Sequence, residues 1–475
     1  MTGEQYDVVI IGAGPVGENV ADRVVQGGLT AAIVEAELVG GECSYWACMP
    51  TKALLRDVAA LRAARQLPGA AAAITGTLDV RAVLARRDRF ASHWHDDGQV
   101  EWLESVGITL VRGRGRLSAP RTVTVTGTDG EVTTLTARHA VVIATGTSAA
   151  LPPIPGLADA APWTSREAVS AMSLPEHLAI IGGGVVGTEM ATAYSALGAR
   201  VTFIARDGVL PRVEPYAAQH VVASLEAAGV RVMIGAEPAR VDRDAAGVHI
   251  ALADGEVIDA DEVLVATGRR PNTGDLGLEH VGLTPGWLRV DETLRVLDAD
   301  GVPVDGLYAA GDVNARALLT HQGKYQARAA GDVIVARATG TPVDDAPWGR
   351  HVVTADRRAI PQVIFTDPEI VSVGHTLASA TEAGLTVRPV EYDLGAVAGA
   401  QLHADGYTGR ASILIDDATN TIVGFTAVGP DVTELVHGAT IAIAGEVTLD
   451  RLWHAVPAYP TMSEIWLRLL ETAGR

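Results

Sequence analysis

Cysteine is scarce in this chain: Cys43 and Cys48 are the two thiols in 475 residues. That excludes the disulfide-stapled scaffolds on which small secreted domains depend. Clustered positive charge is also missing, and the formal net charge is −20. Nucleic acid and anionic membrane surfaces select basic patches, so neither is an expected partner. No uncharged apolar run reaches the length that spans a bilayer. The opening MTGEQYDVVIIGAG lacks the basic flank and long apolar stretch of a secretory signal, so a cytoplasmic protein is expected. The 13 histidines and scattered acids show no metal-ligand spacing, and no metal site is expected.

What is present is apolar residue (48%) and glycine (51 residues), which fits globular α/β architecture of two to four domains. YDVVIIGAGPVGENVADRVVQGG reads as strand, glycine turn and helix, and LTAAIVEAE as a second strand ending at Glu35. Gly12, Gly14 and Gly17 form G-x-G-x-x-G in that context. The first glycine permits the turn, the second lets a pyrophosphate approach the backbone, and the third lets helix and strand pack closely. Free N–H groups and the positive dipole end of the helix then face the phosphates. Glu35 stands where an acid can bind both ribose hydroxyls.

The same grammar returns in HLAIIGGGVVGTEMATAYSALGARVTFIAR, with Gly182, Gly184 and Gly187 in the turn. Here the strand ends differently. Ala205 replaces the acid, and Arg206 and Arg212 follow it. Nothing there repels a 2′-phosphate, and guanidinium groups can pair with one. NADPH is therefore expected ahead of NADH, which stays possible with Asp207 holding the ribose.

Both cysteines fall in GGECSYWACMPTK, with four residues between them. A structural bridge, inert thiols and a redox couple are the three readings. Pro50 suits a first helical turn, which puts Cys48 at a helix N-terminus that stabilises a thiolate. A bridge across so short a loop would stabilise little, so the redox couple is favoured. Tyr45 and Trp46 between the thiols either narrow the substrate side, stack a flat acceptor, or pack in the core.

With two dinucleotide turns, this C-x4-C segment, two Ala-Thr-Gly segments (Ala144–Gly146 and Ala266–Gly268), GLYAAGDV and FTDPEIVSVG in order, the chain resembles the FAD-dependent pyridine nucleotide-disulfide oxidoreductases. That family includes lipoamide dehydrogenase, glutathione reductase and mercuric reductase. The resemblance implies an α/β fold with two Rossmann-like dinucleotide-binding domains and a C-terminal α+β dimerisation domain. It divides the chain into 1–152 and 276–347 for FAD, 153–275 for the nicotinamide nucleotide, and 348–475 for the interface of a homodimer. It also implies that Glu35, Gly115, Thr145, Gly146, Asp312 and Thr320 serve FAD, and that Lys52 approaches the flavin and pairs with Glu189. Gly268 joins the second glycine turn in binding NADP. Cys48 is then the flavin-side thiol, and Cys43 exchanges with a disulfide or other small-molecule acceptor.

One motif departs from the family. Where many members carry H-P-T-x-x-E, this chain reads AYPTMSE, with Tyr459 in the histidine's place and Glu464 retained. A phenol, with an unperturbed pKa near 10 against about 6.5 for imidazole, is a poor proton carrier at neutral pH. Mercuric reductase has a tyrosine there too, but also a C-terminal cysteine pair, and this chain ends ETAGR. His403 and His454 read as surface or packing residues. Two alternatives stay open: a quinone, oxygen or metal-ion reductase in which the flavin acts directly, and a redox-sensing FAD protein.

Overall fold

The apolar runs become strands buried on both faces. Val8, Val9, Ile10 and Ile11 lie at the centre of the strand Gly3–Ile11, which pairs in parallel with Ala31–Glu35 on one side and Val132–Ile143 on the other. The computed structural model describes residues 3–475. It separates into two compact units: Met1–Met49, Asp88–Ser148 and Arg269–Asp356 form the first, and Pro50–Arg87, Ala149–Gly268 and Arg357–Arg475 form the second.

The first unit is one large sheet. Pro303–Ala309, Val132–Ile143, Gly3–Ile11, Ala31–Glu35 and Thr109–Arg112 run parallel in that order. Successive side chains of a strand point to opposite faces. Val8, Ile10, Ile33 and Val142 therefore join one core with Val20, Val24, Ala330 and Ile334 of two helices. Val9, Ile11, Val34, Val141 and Ile143 join the other with Leu117, Val123 and Leu135 of an antiparallel extension. The two helices are Pro15–Gln26 and Thr320–Thr339. They approach closely enough that a Cβ on Gly323 would lie 2.6 Å from Val16 Cγ2.

The second unit holds three sheets. Arg231–Ile234, Arg200–Ala205, His177–Ile181 and Glu262–Val265 make a parallel sheet, followed by the helix Val185–Ala196 after its glycine turn. Pro238–Asp244, Gly247–Leu252 and Val257–Ala260 form an antiparallel sheet. Five antiparallel strands, from Pro361–Ile364 to Thr421–Gly429, make the C-terminal sheet. The Tyr216 hydroxyl donates to Thr426 O at 2.9 Å, and Glu214 accepts from Leu377 N at 2.7 Å. The first bond ties the helix Pro215–Ala227 to that sheet, and the second ties its cap to the helix Leu377–Glu382.

The α/β fold read from the sequence is the fold observed. One local difference is that LPGAAAAITG, read as a loop, contains a helical turn at Pro68–Ala71; Pro68 at its start is compatible with a first helical turn. Among the described residues no helix is long and apolar enough to cross a membrane.

Candidate active site

In the first unit the chain passes from strand to helix through Gly12, which has φ +103°; a Cβ there would lie 2.5 Å from Ala144 O. A Cβ on Gly17 would lie 1.9 Å from Gly12 O. Glycine is therefore a steric requirement at both positions. Gly14, by contrast, faces open space, its nearest neighbour being Gly41 Cα at 4.0 Å from an added Cβ.

Glu35 closes the second strand and braces this turn. Its Oε2 accepts from Ala13 N and its Oε1 from Glu37 N, both at 2.8 Å. Burial pushes its pKa up against those bonds, and each oxygen keeps acceptor capacity for a further donor. Thr145 Oγ1 is buried without a hydrogen-bond partner, and Gly146 beside it has φ +64° with nothing near its Cβ position. Gly115 backs the sheet, an added Cβ falling 3.0 Å from Val34 Cγ1. Asp312 accepts from Thr147 Oγ1 at 2.8 Å, while burial raises its pKa. An open-faced glycine at a helix start, an acid with spare acceptor capacity and an orphaned buried hydroxyl make a cradle that fits FAD.

A second set of bonds fixes the Gly311–Asp312 segment. Gln326 Oε1 accepts from Gly311 N at 2.8 Å, and its amide nitrogen donates to Asp356 at 2.8 Å. Gln322 donates to the other Asp356 oxygen at 2.8 Å, and burial pushes that carboxyl up to about 6.

Cys43 lies in the short helix Gly41–Tyr45, and Cys48 opens the helix Cys48–Arg65. The pair stands in its dithiol form. Cys48 Sγ lies 3.3 Å from the Oγ1 of Thr320, the first residue of the helix Thr320–Thr339. The hydrogen bond to Cys48 and burial push the Cys43 thiol's pKa far up, while Thr320 and Lys324 pull it down. Tyr45 is core: it is 1% exposed and its hydroxyl donates to Val39 O at 2.9 Å. Trp46 meets it edge-on at 5.6 Å.

The second unit repeats the glycine turn. Gly182 has φ +119°, with a Cβ position 2.4 Å from Ala266 O, and the Cβ position of Gly187 is 2.1 Å from Gly182 O. Gly268 faces open space, and an added Cβ on Gly184 would meet Ala266 O at 3.9 Å. Ala205 ends the strand Arg200–Ala205. Beyond it Arg206 donates twice to the Asp207 carboxylate, at 2.8 and 3.0 Å, on the surface. Arg212 is exposed.

In the same unit Lys52 Nζ donates to Glu189 Oε2 at 2.8 Å and lies 4.9 Å from the Phe365 ring centroid. The other Glu189 oxygen accepts from Phe365 N at 2.9 Å. Tyr459 and Glu464 are not brought together. Tyr459 is 76% exposed, whereas Glu464 is buried and paired with Arg468 at 2.6 Å. His403 is engaged by Asp431 at 2.7 Å, and His454 is exposed.

Sequence reading passed over Glu18, Lys324, Arg269 and the Gln326–Asp356 chain. The i, i+4 spacing of Thr320 and Lys324 was the one available signal. Arg269 donates to Thr147 O at 2.7 Å and lies 3.9 Å from Asp312.

Residues 6–338 match the model of the pyridine nucleotide-disulphide oxidoreductases, and residues 360–469 match that family's dimerisation domain. The chain belongs to this family. Dihydrolipoyl dehydrogenase of Rhizobium etli is 31% identical, covering 99% of each chain. Mercuric reductase of Shigella flexneri is 33% identical over 96% of this chain and 79% of its own. Among solved structures, LpdA from Mycobacterium tuberculosis superposes with a TM-score of 0.82 at 26% identity, covering 99% of this chain and 100% of that one. The pyridine nucleotide-disulphide oxidoreductases are FAD- and NAD(P)H-dependent, and this member is accordingly a flavoprotein disulfide oxidoreductase. Its dimerisation domain supports a homodimer.

Proposed function

We propose that this enzyme takes reducing equivalents from NADPH, passes two electrons to the Cys43–Cys48 pair, and reduces a disulfide or another thiol-reactive acceptor in the cytoplasm. The observation that carries this reading is the placement of Cys48 at the first residue of a helix, 3.3 Å from Thr320 Oγ1. Bound FAD supplies the two-electron carrier chemistry between nicotinamide and sulfur. Glu35, Thr145 and Asp312 are the residues that would hold it. The domain division 1–152, 153–275, 276–347 and 348–475 is part of the same reading, supported by the two parallel sheets and the C-terminal antiparallel one.

The thiols then have separate tasks. Two electrons break the Cys43–Cys48 bond, leaving a Cys48 thiolate stabilised by its helix terminus and a Cys43 thiol. After Cys43 gives up its proton, its sulfur attacks the acceptor disulfide; one thiolate leaves and is protonated. Cys48 then attacks Cys43 Sγ, re-forms the bond and expels the second thiolate, which takes a proton from solvent. The Tyr459 phenol can donate a hydrogen bond to an acceptor. NADPH preference is supported by the missing acid at Ala205, with Arg206 free to exchange Asp207 for a 2′-phosphate at the surface.

The test is anaerobic titration of the holoenzyme with NADPH. A long-wavelength charge-transfer band at two electrons per flavin is expected, lost in Cys48→Ser, together with loss of disulfide turnover in Cys43→Ser. Direct bleaching without the band, and undiminished turnover in both variants, would overturn the reading. The exposed Tyr459 in place of an imidazole favours one second reading, direct reduction of a quinone, which predicts quinone turnover unchanged by Cys48→Ser.

A further inference from the structure

The helix Thr320–Thr339 begins with Thr320 against Cys48 Sγ at 3.3 Å, and its next turns pack on the segment that presents Asp312. Gly311, with φ +80°, comes so close that a Cβ on Gly323 would lie 3.3 Å from Gly311 Cα. A backbone N–H only donates. Gly311 N therefore fixes which end of the Gln326 amide faces it: Gln326 Oε1 accepts that bond and one from Asn314 Nδ2, both at 2.8 Å. Asn314 is fixed in turn, its Oδ1 accepting from Arg316 N at 3.0 Å and its Nδ2 also donating to Ala309 O at 3.2 Å. The Gln326 amide nitrogen is left facing away from the segment, and there it needs an acceptor.

Asp356 is that acceptor. One of its oxygens takes Gln326 Nε2 and the other takes Gln322 Nε2, each at 2.8 Å. The two glutamines are four residues apart and share a helix face. The backbone beside Asp356 is clasped to the same helix, with the Tyr325 hydroxyl donating to Val352 O at 3.3 Å. Gln322, Gln326, Asn314 and Asp356 are all buried, and all belong to the first unit. A lost partner there leaves a desolvated amide behind. An ionised carboxylate accepts at both oxygens and donates at neither, so it suits two amide nitrogens at once. A Gln326 amide turned the other way would set its NH2 against Gly311 N–H and the Asn314 NH2, donor against donor.

We propose that Asp356 is a positioning residue for both halves of the redox centre: through Gln326 and Gly311 it sets Asp312, and through Gln322 it sets the helix start that brings Thr320 to Cys48. It acts through these amides. The inference rests on Asp312 holding FAD and on the Cys43–Cys48 couple, as read above. One carboxylate, bonded at both oxygens, keeps the flavin acid and the flavin-side thiol in register on a single helix.

The experiment exchanges the polarity of this relay. Gln326→Glu keeps the bond to Gly311 N but turns a second carboxylate oxygen on Asp356, where nothing donates. The FAD dissociation constant of the holoenzyme, read from flavin fluorescence, should rise about tenfold or more. In Gln326→Glu/Asp356→Asn the introduced amide donates to the introduced carboxylate while its oxygen still accepts from Gln322. Affinity should then return to within about threefold of wild type. Lost packing alone would leave the double variant at least as weak as the single one, and that result overturns the proposal. Where Gln326→Glu does not fold, Asp356→Asn and Asp356→Leu are compared. The first keeps an acceptor for Gln326, with Gln322 turning over to accept from the new amide, and should hold FAD. The second is of similar size with no acceptor and should lose about tenfold; equal affinities overturn the proposal. For the Cys48 half, anaerobic reduction by NADPH at saturating FAD should give a weakened long-wavelength charge-transfer band in Asp356→Leu and a wild-type band in Asp356→Asn. An unaltered band in both overturns it. Asp312→Ala binding FAD as tightly as wild type, or a wild type without the band, would instead sink the reading beneath the proposal.

Discussion

The two glycine turns have nearly the same backbone and different surroundings. Gly12 and Gly182 place their Cβ positions 2.5 and 2.4 Å from the carbonyl of the alanine in an Ala-Thr-Gly segment. Gly17 and Gly187 press equally hard on the first glycine's oxygen. The divergence begins one strand later. Glu35 reaches back to Ala13 N, so the first turn is braced by a charged side chain before any ligand arrives. Ala205 offers no such bond, and its neighbour Arg206 is held by Asp207 on the surface. A shared turn fixes where a pyrophosphate can lie; the residue at the next strand end decides how firmly the nucleotide is held and which ribose is accepted.

The sharpest way to break this comparison is to remove each turn in its own unit. Gly12→Ala forces a side chain into positive φ and onto Ala144 O, a cost of about 3 kcal/mol or more. It is expected to abolish FAD retention, read from the visible spectrum of the purified protein. Gly182→Ala meets the matching clash, yet is expected to stay yellow and lose reduction by NADPH. If both variants lose flavin equally, the two turns do not serve separate nucleotides. A smaller effect belongs to Glu35→Gln. Hydrogen bonds to a charged group contribute about 1.5–3 kcal/mol, so FAD affinity measured by fluorescence should fall roughly ten- to hundredfold, and an unchanged affinity would remove Glu35 from the ribose. Smallest is Arg206→Ala, where a surface guanidinium is lost. NADPH affinity should weaken about tenfold with NADH little altered; equal weakening of both would assign Arg206 to something other than a 2′-phosphate.

The turns were legible because each sits between a continuous apolar run and an amphipathic helix, a pattern local enough to survive without tertiary information. Ala205 against Glu35 was legible for the same reason. Glu18 was not, because an acid in a first helical turn ordinarily reads as a charge favoured by the helix dipole in solvent, whereas its Oε1 is buried without a hydrogen-bond partner. The Asp356–Gln326–Gly311 chain joins residues 15 and 30 positions apart through amides that no periodicity marks. Lys52 and Glu189 are 137 residues apart, so their pairing was foreseen from family resemblance alone, and the Phe365 amide that completes it was not. Tyr459 and Glu464 looked like one motif in sequence, but the helix Glu464–Thr472 begins at the acid and pairs it with Arg468.

The contact between Gly14 and Gly41 sets different tolerances at two positions that look alike on paper. At Gly14 an added methyl meets only open space, whereas at Gly41, with φ +56°, it strikes the neighbouring backbone. A random library sorted only for folded protein should therefore keep small side chains at position 14 and reject them at 41. Sorting the same library for bound flavin should clear both. The gap between those two selections at position 14 isolates what the ligand demands of the chain from what the chain demands of itself.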